Sequence, residues 1–226
     1  MRRTLAFLIV AGACTALCGV SVIPALAATQ RGTLTSHEYA QLSSDEAKYA
    51  RALNARPLNW NALLAICRTV GSANALLKTQ RASCLVSTQL DADLANFPSH
   101  ESKCGTAQPH KDVCIVPLYV GLAKDATAMY HTDLADHKVL TRRGFTGRCL
   151  DVLANTAKQL NQQRQLAAAT AKITKDVQKS AKVVEGKLPS SAVNVSEVDA
   201  DAKVFDRDVK LVVDQTSPAL SSCPHQ

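Results

Sequence analysis

The stretch from residue 142 to residue 188 constrains the fold most, because it holds no proline and, between Gly147 and Gly186, no glycine. Alanine, leucine, lysine and glutamine dominate it, and all four favour helix. We therefore predict one continuous helix of about forty residues, which at 1.5 Å per residue would be roughly 60 Å long. Such a helix requires the other segments of the chain to pack along it.

The rest of the chain also carries helical signals. A Ser36 cap predicts a first helix that ends before Pro57, although residues 43–46 offer a second possible start. Apolar periodicity and caps at Ser72 and Ser196 predict the further helices. These further helices are expected at residues 59–67, 72–97, 117–141 and 196–215.

The segments between these helices are rich in proline, glycine and serine. Residues 98–112 are predicted to form a loop, and residues 189–195 a turn. No segment alternates between apolar and polar residues as a half-buried strand does. The predicted fold class is therefore all-α: an antiparallel bundle of four to five main helices, one of them very long, tied by disulfides.

The N-terminus has the layout of a secretory signal peptide. Arg2 and Arg3 precede an apolar run, which ends in the small-residue sequence from Ala25 to Ala27. We predict a signal peptide at residues 1–27, a secreted or extracytoplasmic envelope protein, and no transmembrane span after signal cleavage. An uncleaved anchor helix and lipidation at Cys14 or Cys18 are the alternatives. Lipidation is disfavoured because the small residues before Cys14 lack the usual apolar residue at the start of a lipoprotein box, and because Leu17, before Cys18, is too large for a cleavage site.

The mature chain has two predicted parts. Residues 28–35 are short and polar, and we expect them to be flexible. Residues 36–226 are long enough to bury a core, and we expect a single helical domain there.

The cysteines indicate crosslinks rather than a metal site. Of the eight cysteines in the chain, Cys14 and Cys18 lie in the predicted signal peptide. An even number remains in an exported chain, and no Cys-x-x-Cys pair occurs, so disulfides are expected. The cysteines expected to pair are Cys67, Cys84, Cys104, Cys114, Cys149 and Cys223.

Helix length narrows the possible pairings. The helix predicted at residues 117–141 would separate Cys114 from Cys149 by roughly 36 Å, which disfavours a bond between them. The long helix leads away from Cys149, and the last helix and the tail lead back over a similar distance. We therefore favour a bond between Cys149 and Cys223.

The other pairings are less constrained. A bond between Cys104 and Cys114 closes a short loop and leaves Cys67 with Cys84. That last pair is awkward, because its members lie at unequal distances from the turn at Gly71. The alternative joins Cys84 to Cys104 and Cys67 to Cys114.

Basic residues suggest two surfaces that could contact anions. The chain has a formal net charge of +7, and aromatic residues make up 4% of it, which argues against a base-stacking nucleic-acid surface. A strip of lysines repeats at helical spacing in the long helix, and arginines flank the turn before it. Both are predicted to be solvated, with contact to an anionic envelope component as the alternative. The strip comprises Lys172, Lys175, Lys179 and Lys182, and the turn comprises Arg142, Arg143 and Arg148.

Candidate metal ligands are sparse. His131, Asp133 and His137 look metal-like, but the two histidines are six residues apart and so lie on different sides of a helix. His100 and His110 fall in the predicted loop. We therefore predict no metal site and no cofactor.

Catalytic motifs are also missing from the sequence. No GxSxG, HExxH or paired-carboxylate motif occurs. The favoured function is accordingly a non-enzymatic interaction or scaffold module whose partner is an unidentified protein or an anionic envelope component. The alternative is a small-ligand binder with a site between helices, for instance around Trp60, Tyr119 and Tyr130. A hydrolase of unrecognised type is the least favoured. An apolar pocket with converging polar groups would favour the ligand binder.

Overall fold

The structure, a computed structural model, describes residues 31–71, 74–105, 110–215 and 219–226. The predicted signal peptide lies outside these ranges. Within them the chain forms helices joined by short connections, and short 3-10 turns occur at Ser190–Ala192 and Leu220–Ser222. The α-helices are α1 (Ser36–Asn54), α2 (Trp60–Thr69), α3 (Ala75–Lys103), α4 (His110–Arg142), α5 (Gly147–Ala154), α6 (Ala157–Val184) and α7 (Val195–Val213).

Contacts between successive long helices show that the helices run antiparallel. Between α3 and α4, Ser83 bonds to Asp133 and Glu101 pairs with Lys111. Residues later in α3 therefore contact residues earlier in α4, as in an antiparallel pair. The same reversal relates α4 to α6 and α6 to α7. The contacts that show it are Gln163 with Asp133, Thr174 with Tyr119, Lys172 with Asp201, and Gln215 with Gln162. The predicted all-α, antiparallel, disulfide-linked bundle is confirmed.

The helical stretch predicted as continuous from residue 149 to residue 188 is bent. It divides into α5 and α6 at Asn155, whose φ is 59°. Thr156 then caps α6 in a capping box with Gln159, a threonine and a glutamine at the spacing typical of helix starts. Uninterrupted helix across this point was therefore a wrong prediction, although the sequence contains the signal for the break.

Two prolines lie inside helices rather than at their ends. α3 continues through Pro98, and α4 begins before Pro117, so the loop predicted at 98–112 is largely helical where it is described. A proline inside a helix costs about 3 kcal/mol. Next to each proline, an apolar side chain (Phe97 in α3 and Val116 in α4) packs against the core, which offsets that cost.

The caps of α1 and α7 lie one and two residues before the predicted positions. Thr35 rather than Ser36 caps α1, and Asn194 rather than Ser196 caps α7. The alternative start of α1 at residues 43–46 is not used, because those residues lie within the helix. Asn74 caps α3, and Ser72, the cap predicted for this helix, lies outside the described residues.

Two clusters of buried apolar residues stabilise the fold. The bundle core lies between α3, α4, α6 and α7, and the terminal core gathers α1, α3, α4, α5 and the C-terminal tail. The bundle core consists of Leu90, Leu122, Ala126, Met129, Leu166, Ala169, Ile173, Val177 and Phe205. The terminal core consists of Leu34, Leu42, Leu76, Leu77, Leu140, Phe145, Cys149, Leu153, Ala154, Leu220 and Cys223.

The described ends of the chain pair with each other. Leu34, in the segment expected to be flexible, is 1% exposed; its N–H donates to Pro224 over 3.0 Å, and its carbonyl accepts from Gln226 over 3.1 Å. The Tyr39 ring also stacks on His225 at 3.8 Å. The described part of residues 28–35 is thus held by the tail, and residues 28–30 lie outside the described residues.

All favoured disulfides are present. Cys67 bonds to Cys84, Cys104 to Cys114, and Cys149 to Cys223, with Cα–Cα distances of 5.4, 5.5 and 4.6 Å. The first pair is possible because α2 does not form a simple hairpin with α3: its C-terminal end lies against the middle of α3. Disulfides of this kind are typical of an oxidising, extracytoplasmic compartment.

Among the described residues, the segment Lys111–Arg142 is long and apolar enough to cross a membrane, by length and composition alone. It packs against both α3 and α6, and it carries Asp125, Asp133 and Asp136. We interpret it as the central helix of the bundle. The expected lack of a membrane span after signal cleavage stays a prediction.

We expect the Cys149–Cys223 bond to stabilise the fold more than the Cys104–Cys114 bond. The first closes a sequence separation of 74 residues and the second one of 10. Chain entropy then predicts losses of about 4 and about 3 kcal/mol when each pair is replaced by alanine. Urea unfolding of the two double variants measures the difference, and equal losses would contradict this account.

Candidate functional site

A cavity of about 240 Å³ lies where α1, α2, α3 and α5 meet. Its lining is mostly apolar and includes a few polar side chains, as ligand sites in proteins usually do. The lining residues are Leu42, Asp45, Glu46, Tyr49, Ile66, Val70, Gln80, Cys84, Val152, Leu153 and Leu220.

One face of α1 supplies the first wall. Leu42, Asp45, Glu46 and Tyr49 follow the spacing i, i+3, i+4 and i+7, which places them on one side of a helix. Leu42 also belongs to the terminal core, so this face continues from the core into the cavity.

The opposite walls come from distant parts of the chain. Ile66 and Val70 lie at the end of α2, Val152 and Leu153 in α5, and Leu220 in the tail. Two disulfides position these walls. One joins the end of α2 to α3 at Cys84, which itself lines the cavity, and the other joins α5 to the tail.

Most polar groups of the cavity already have partners within the protein. Asp45 is 5% exposed and accepts from Gln41 over 2.7 Å and from Lys48 over 3.2 Å. The Tyr49 hydroxyl lies 2.9 Å from the Thr88 hydroxyl. Gln80 donates to the Leu153 carbonyl over 2.5 Å and so satisfies a backbone group at the end of α5.

Glu46 differs from these groups. It is half-buried, and the described residues supply no hydrogen bond or ion pair to its carboxylate. Burial raises its pKa, because the charged form loses water without gaining a partner. The cavity therefore contains one uncompensated carboxylate.

The aromatic residues suggested for a pocket lie elsewhere. Tyr119 packs edge-on against Phe97 at 5.0 Å and Phe205 at 6.1 Å beside the bundle core. Tyr130 lies against the His131 ring at 5.2 Å, and Trp60 begins α2. Sequence reasoning missed the cavity because its walls come from five separate segments. The helical spacing of the α1 side chains was the one available signal.

The lysine strip is less uniform than predicted. Lys172 bonds to Asp201 at 2.8 Å and to Glu197 at 3.6 Å, and so connects α6 to α7. The hydrogen bond to Asp201 raises the pKa of Lys172. Lys175, Lys179 and Lys182 are exposed.

Behind this strip lies a pair of buried acids. Asp176 and Asp201 share a hydrogen bond, and burial raises the pKa of Asp176. The hydrogen bond from Lys172 lowers the pKa of Asp201. The acids reduce the positive potential at the end of the strip that holds Lys172.

The arginine turn does not form the anion pocket considered from the sequence. Arg143 contacts Glu38 over 3.1 and 3.4 Å, whereas Arg142 and Arg148 are exposed. Burial alone would raise the pKa of Glu38, but hydrogen bonds from Arg143 and the Thr35 backbone outweigh it, and the pKa is lowered.

Two glycines allow this turn to pack closely on the N-terminal segment. The N–H of Gly32 donates to the carbonyl of Arg143 over 2.9 Å. A Cβ added at Gly32 would collide with the carbonyl of Gly144, so this contact requires glycine at position 32. The turn therefore has a structural role.

Asp133 connects the bundle rather than binding a metal with His137. Its side chain is 1% exposed and accepts hydrogen bonds from Ser83 over 2.5 Å, from Asn155 over 2.8 Å and from Gln163 over 2.7 Å. It thus joins α3, α4, α6 and the bend between α5 and α6. His131 is exposed, and His100 lies in α3 rather than in a loop.

No group of three or more histidine, cysteine or acidic side chains within the described ranges is placed to hold a metal ion. Comparisons with protein-family models, with curated proteins and with solved structures found no match for this chain. The cavity is therefore interpreted from its own geometry.

Several aspartates in the bundle are protonated more readily than usual. Burial raises the pKa of Asp91 to about 6 and that of Asp136 to about 7, with repulsion from Asp133 adding to the latter. Burial and a hydrogen bond to Asp93 raise the pKa of Asp125 to about 7. The folded state is therefore more stable when these carboxyl groups are protonated than when they are ionised.

Asp133→Ala should destabilise the protein by about 3 kcal/mol, because it leaves three buried side-chain donors without their acceptor. Urea unfolding measures the loss. Asp199→Ala, at an exposed position of α7, is the control and should change stability by less than about 0.5 kcal/mol. Equal stability of the two variants would contradict the role assigned to Asp133.

We expect the protein to be more stable at pH 5 than at pH 8. The raised pKa values of Asp91, Asp125 and Asp136 mean that the folded state binds more protons than the unfolded chain between about pH 4 and 7. This stability is present below pH 4 and is lost as the pH rises through 6 to 7. The melting temperature should fall by on the order of 5 °C between pH 5 and pH 8.

Circular dichroism melts at the two pH values test this dependence. Asp136→Asn should raise the melting temperature at pH 8 and reduce the difference between the two pH values, whereas Asp199→Asn should change neither. A higher melting temperature at pH 8 than at pH 5 in the unmodified protein would show that the sign is wrong.

Proposed function

We propose that this chain is an exported, non-enzymatic binding protein that holds a small, largely apolar ligand between its helices. The observation that carries this proposal is the cavity of about 240 Å³ with its apolar walls and few polar groups. An engineered cavity of about 150 Å³ in another protein holds benzene. The present cavity therefore suits a ligand of roughly ten non-hydrogen atoms.

The compartment supports this proposal. Two disulfides position walls of the cavity, and disulfides persist outside the reducing cytosol. The predicted signal peptide at residues 1–27 would deliver the chain to such a compartment. We infer that the cavity acquires its shape after export, when these bonds form.

The side chains around the cavity favour binding over catalysis. Its lining contains no histidine and no serine, and its one cysteine, Cys84, is in a disulfide. The hydrogen-bonded carboxylate pairs, Asp93 with Asp125 and Asp176 with Asp201, do not line it. A nucleophile with an adjacent base, which hydrolysis would require, is not found in this lining.

The other predicted function, an interaction or scaffold module, remains the second proposal. Its support is the exposed basic side chains that would meet a protein or an anionic envelope component. These are Lys175, Lys179, Lys182, Arg142 and Arg148. We place it second because Lys172 and Arg143 already pair with acids of the chain itself.

Indole binding tests whether the cavity accepts small apolar molecules. Val152→Phe should weaken binding by at least about ten-fold, because the added ring occupies part of the cavity. Isothermal titration calorimetry on the disulfide-bonded protein measures the dissociation constants. The control is Val204→Phe, at an exposed position of α7, which should change binding by less than about two-fold.

Two results would count against a ligand-binding cavity. One is that neither indole nor naphthalene binds to the unmodified protein at millimolar concentration. The other is that Val152→Phe and Val204→Phe weaken binding equally, which would place the bound molecule outside the cavity.

A further inference from the structure

The charges around the cavity are unevenly distributed. The lining contains the carboxylates of Asp45 and Glu46 and no lysine, arginine or histidine. Asp91 also lies close enough to Tyr49 to raise the pKa of its hydroxyl, in addition to the effect of burial. Among the described residues, Lys48 is the one cation that pairs with these acids, and its partner is Asp45.

Glu46 is the group that this arrangement leaves without a partner. Asp45 is satisfied by Gln41 and Lys48, so its charge is already compensated. Glu46 is half-buried on the same face of α1, and the described residues give it neither a hydrogen bond nor a cation. A carboxylate withdrawn from water in this way is stabilised when a cation approaches it.

The apolar walls of the cavity and its carboxylates come from different parts of the fold. Ile66, Val70, Val152, Leu153 and Leu220 come from α2, α5 and the tail, whereas Glu46 comes from α1. A molecule in the cavity would therefore meet a negative charge on the α1 wall and hydrocarbon on the walls from α2, α5 and the tail. This pattern fits a ligand with a cationic head and an apolar body.

We propose that the cavity binds small organic amines, with the ammonium group on the Glu46 carboxylate and the apolar body against the α2, α5 and tail walls. This inference rests on the proposed ligand-binding function and adds the chemical class of the ligand. Glu46 supplies the charge, and the cavity volume limits the ligand to roughly ten non-hydrogen atoms.

Three probes of similar size test this assignment: 2-phenylethylamine, 2-phenylethanol and phenylacetate, which are cationic, neutral and anionic. We expect the amine to bind at least about ten-fold more tightly than the alcohol, and the carboxylate at least about ten-fold more weakly. Dissociation constants are measured at pH 7.5 by NMR titration of the full disulfide-bonded chain.

Glu46→Gln keeps the shape of the side chain and removes its charge. The variant should bind the alcohol as the unmodified protein does, and its preference for the amine should fall to within about two-fold. The control is Glu185→Gln, which removes a carboxylate beyond the end of α6, far from the cavity in sequence, and should keep the full preference. Thermal unfolding of each variant establishes that it is folded.

The outcomes separate the two proposals. A preference for the amine that Glu46→Gln abolishes supports both. Equal binding of the three probes overturns the amine assignment and leaves the ligand-binding function in place. A preference that survives in Glu46→Gln overturns the role of Glu46. If none of the probes binds, the proposed function fails and the assignment fails with it.

Discussion

The fold depends on a buried carboxylate at the centre of the bundle. Asp133 accepts hydrogen bonds from Ser83, Asn155 and Gln163, which belong to different parts of the chain. Withdrawing an aspartate from water costs free energy. The hydrogen bonds from the three donors that converge on Asp133 offset this cost. The bond from Asn155 holds the bend that separates α5 from α6. Because α5 turns away at this bend, it can pack against the chain ends and form one wall of the cavity.

The chain ends complete the same region. The tail pairs with Leu34, and the Cys149–Cys223 bond fastens that tail to α5. The cavity consequently has walls from α1, α2, α3, α5 and the tail, and no two adjacent segments of sequence would form it alone. Its shape depends on crosslinks that form in an oxidising compartment, which connects the proposed binding function to the predicted export of the chain.

Acidic side chains are concentrated in the interior and the cavity, and basic side chains on the outer surface. The chain carries a formal net charge of +7, yet several of its acids, including Asp45, Asp133, Asp136 and Asp176, are buried. Exposed lysines and arginines therefore dominate the outer surface of α6 and the turn before α5, whereas the cavity presents carboxylates. An anionic partner would meet the outer surface, and a small cation would be drawn to the cavity. The two proposed functions thus concern different surfaces and do not exclude each other.

The sequence by itself determined the helical class, because helix propensity is local, and it favoured the Cys149–Cys223 bond, because helix length limits which cysteines can meet. The other two disulfides had an alternative pairing, and only the tertiary structure decided between them. The bend at Asn155 is also specified locally, by the capping box of Thr156 and Gln159. The high helix propensity of the residues on both sides nevertheless led to the prediction of one continuous helix. Only the tertiary structure decided that α3 and α4 continue through Pro98 and Pro117, because the packing energy that offsets a proline comes from other helices. It also decided the cavity and the unpaired state of Glu46. Both depend on which distant segments meet, and no local property of the sequence specifies that.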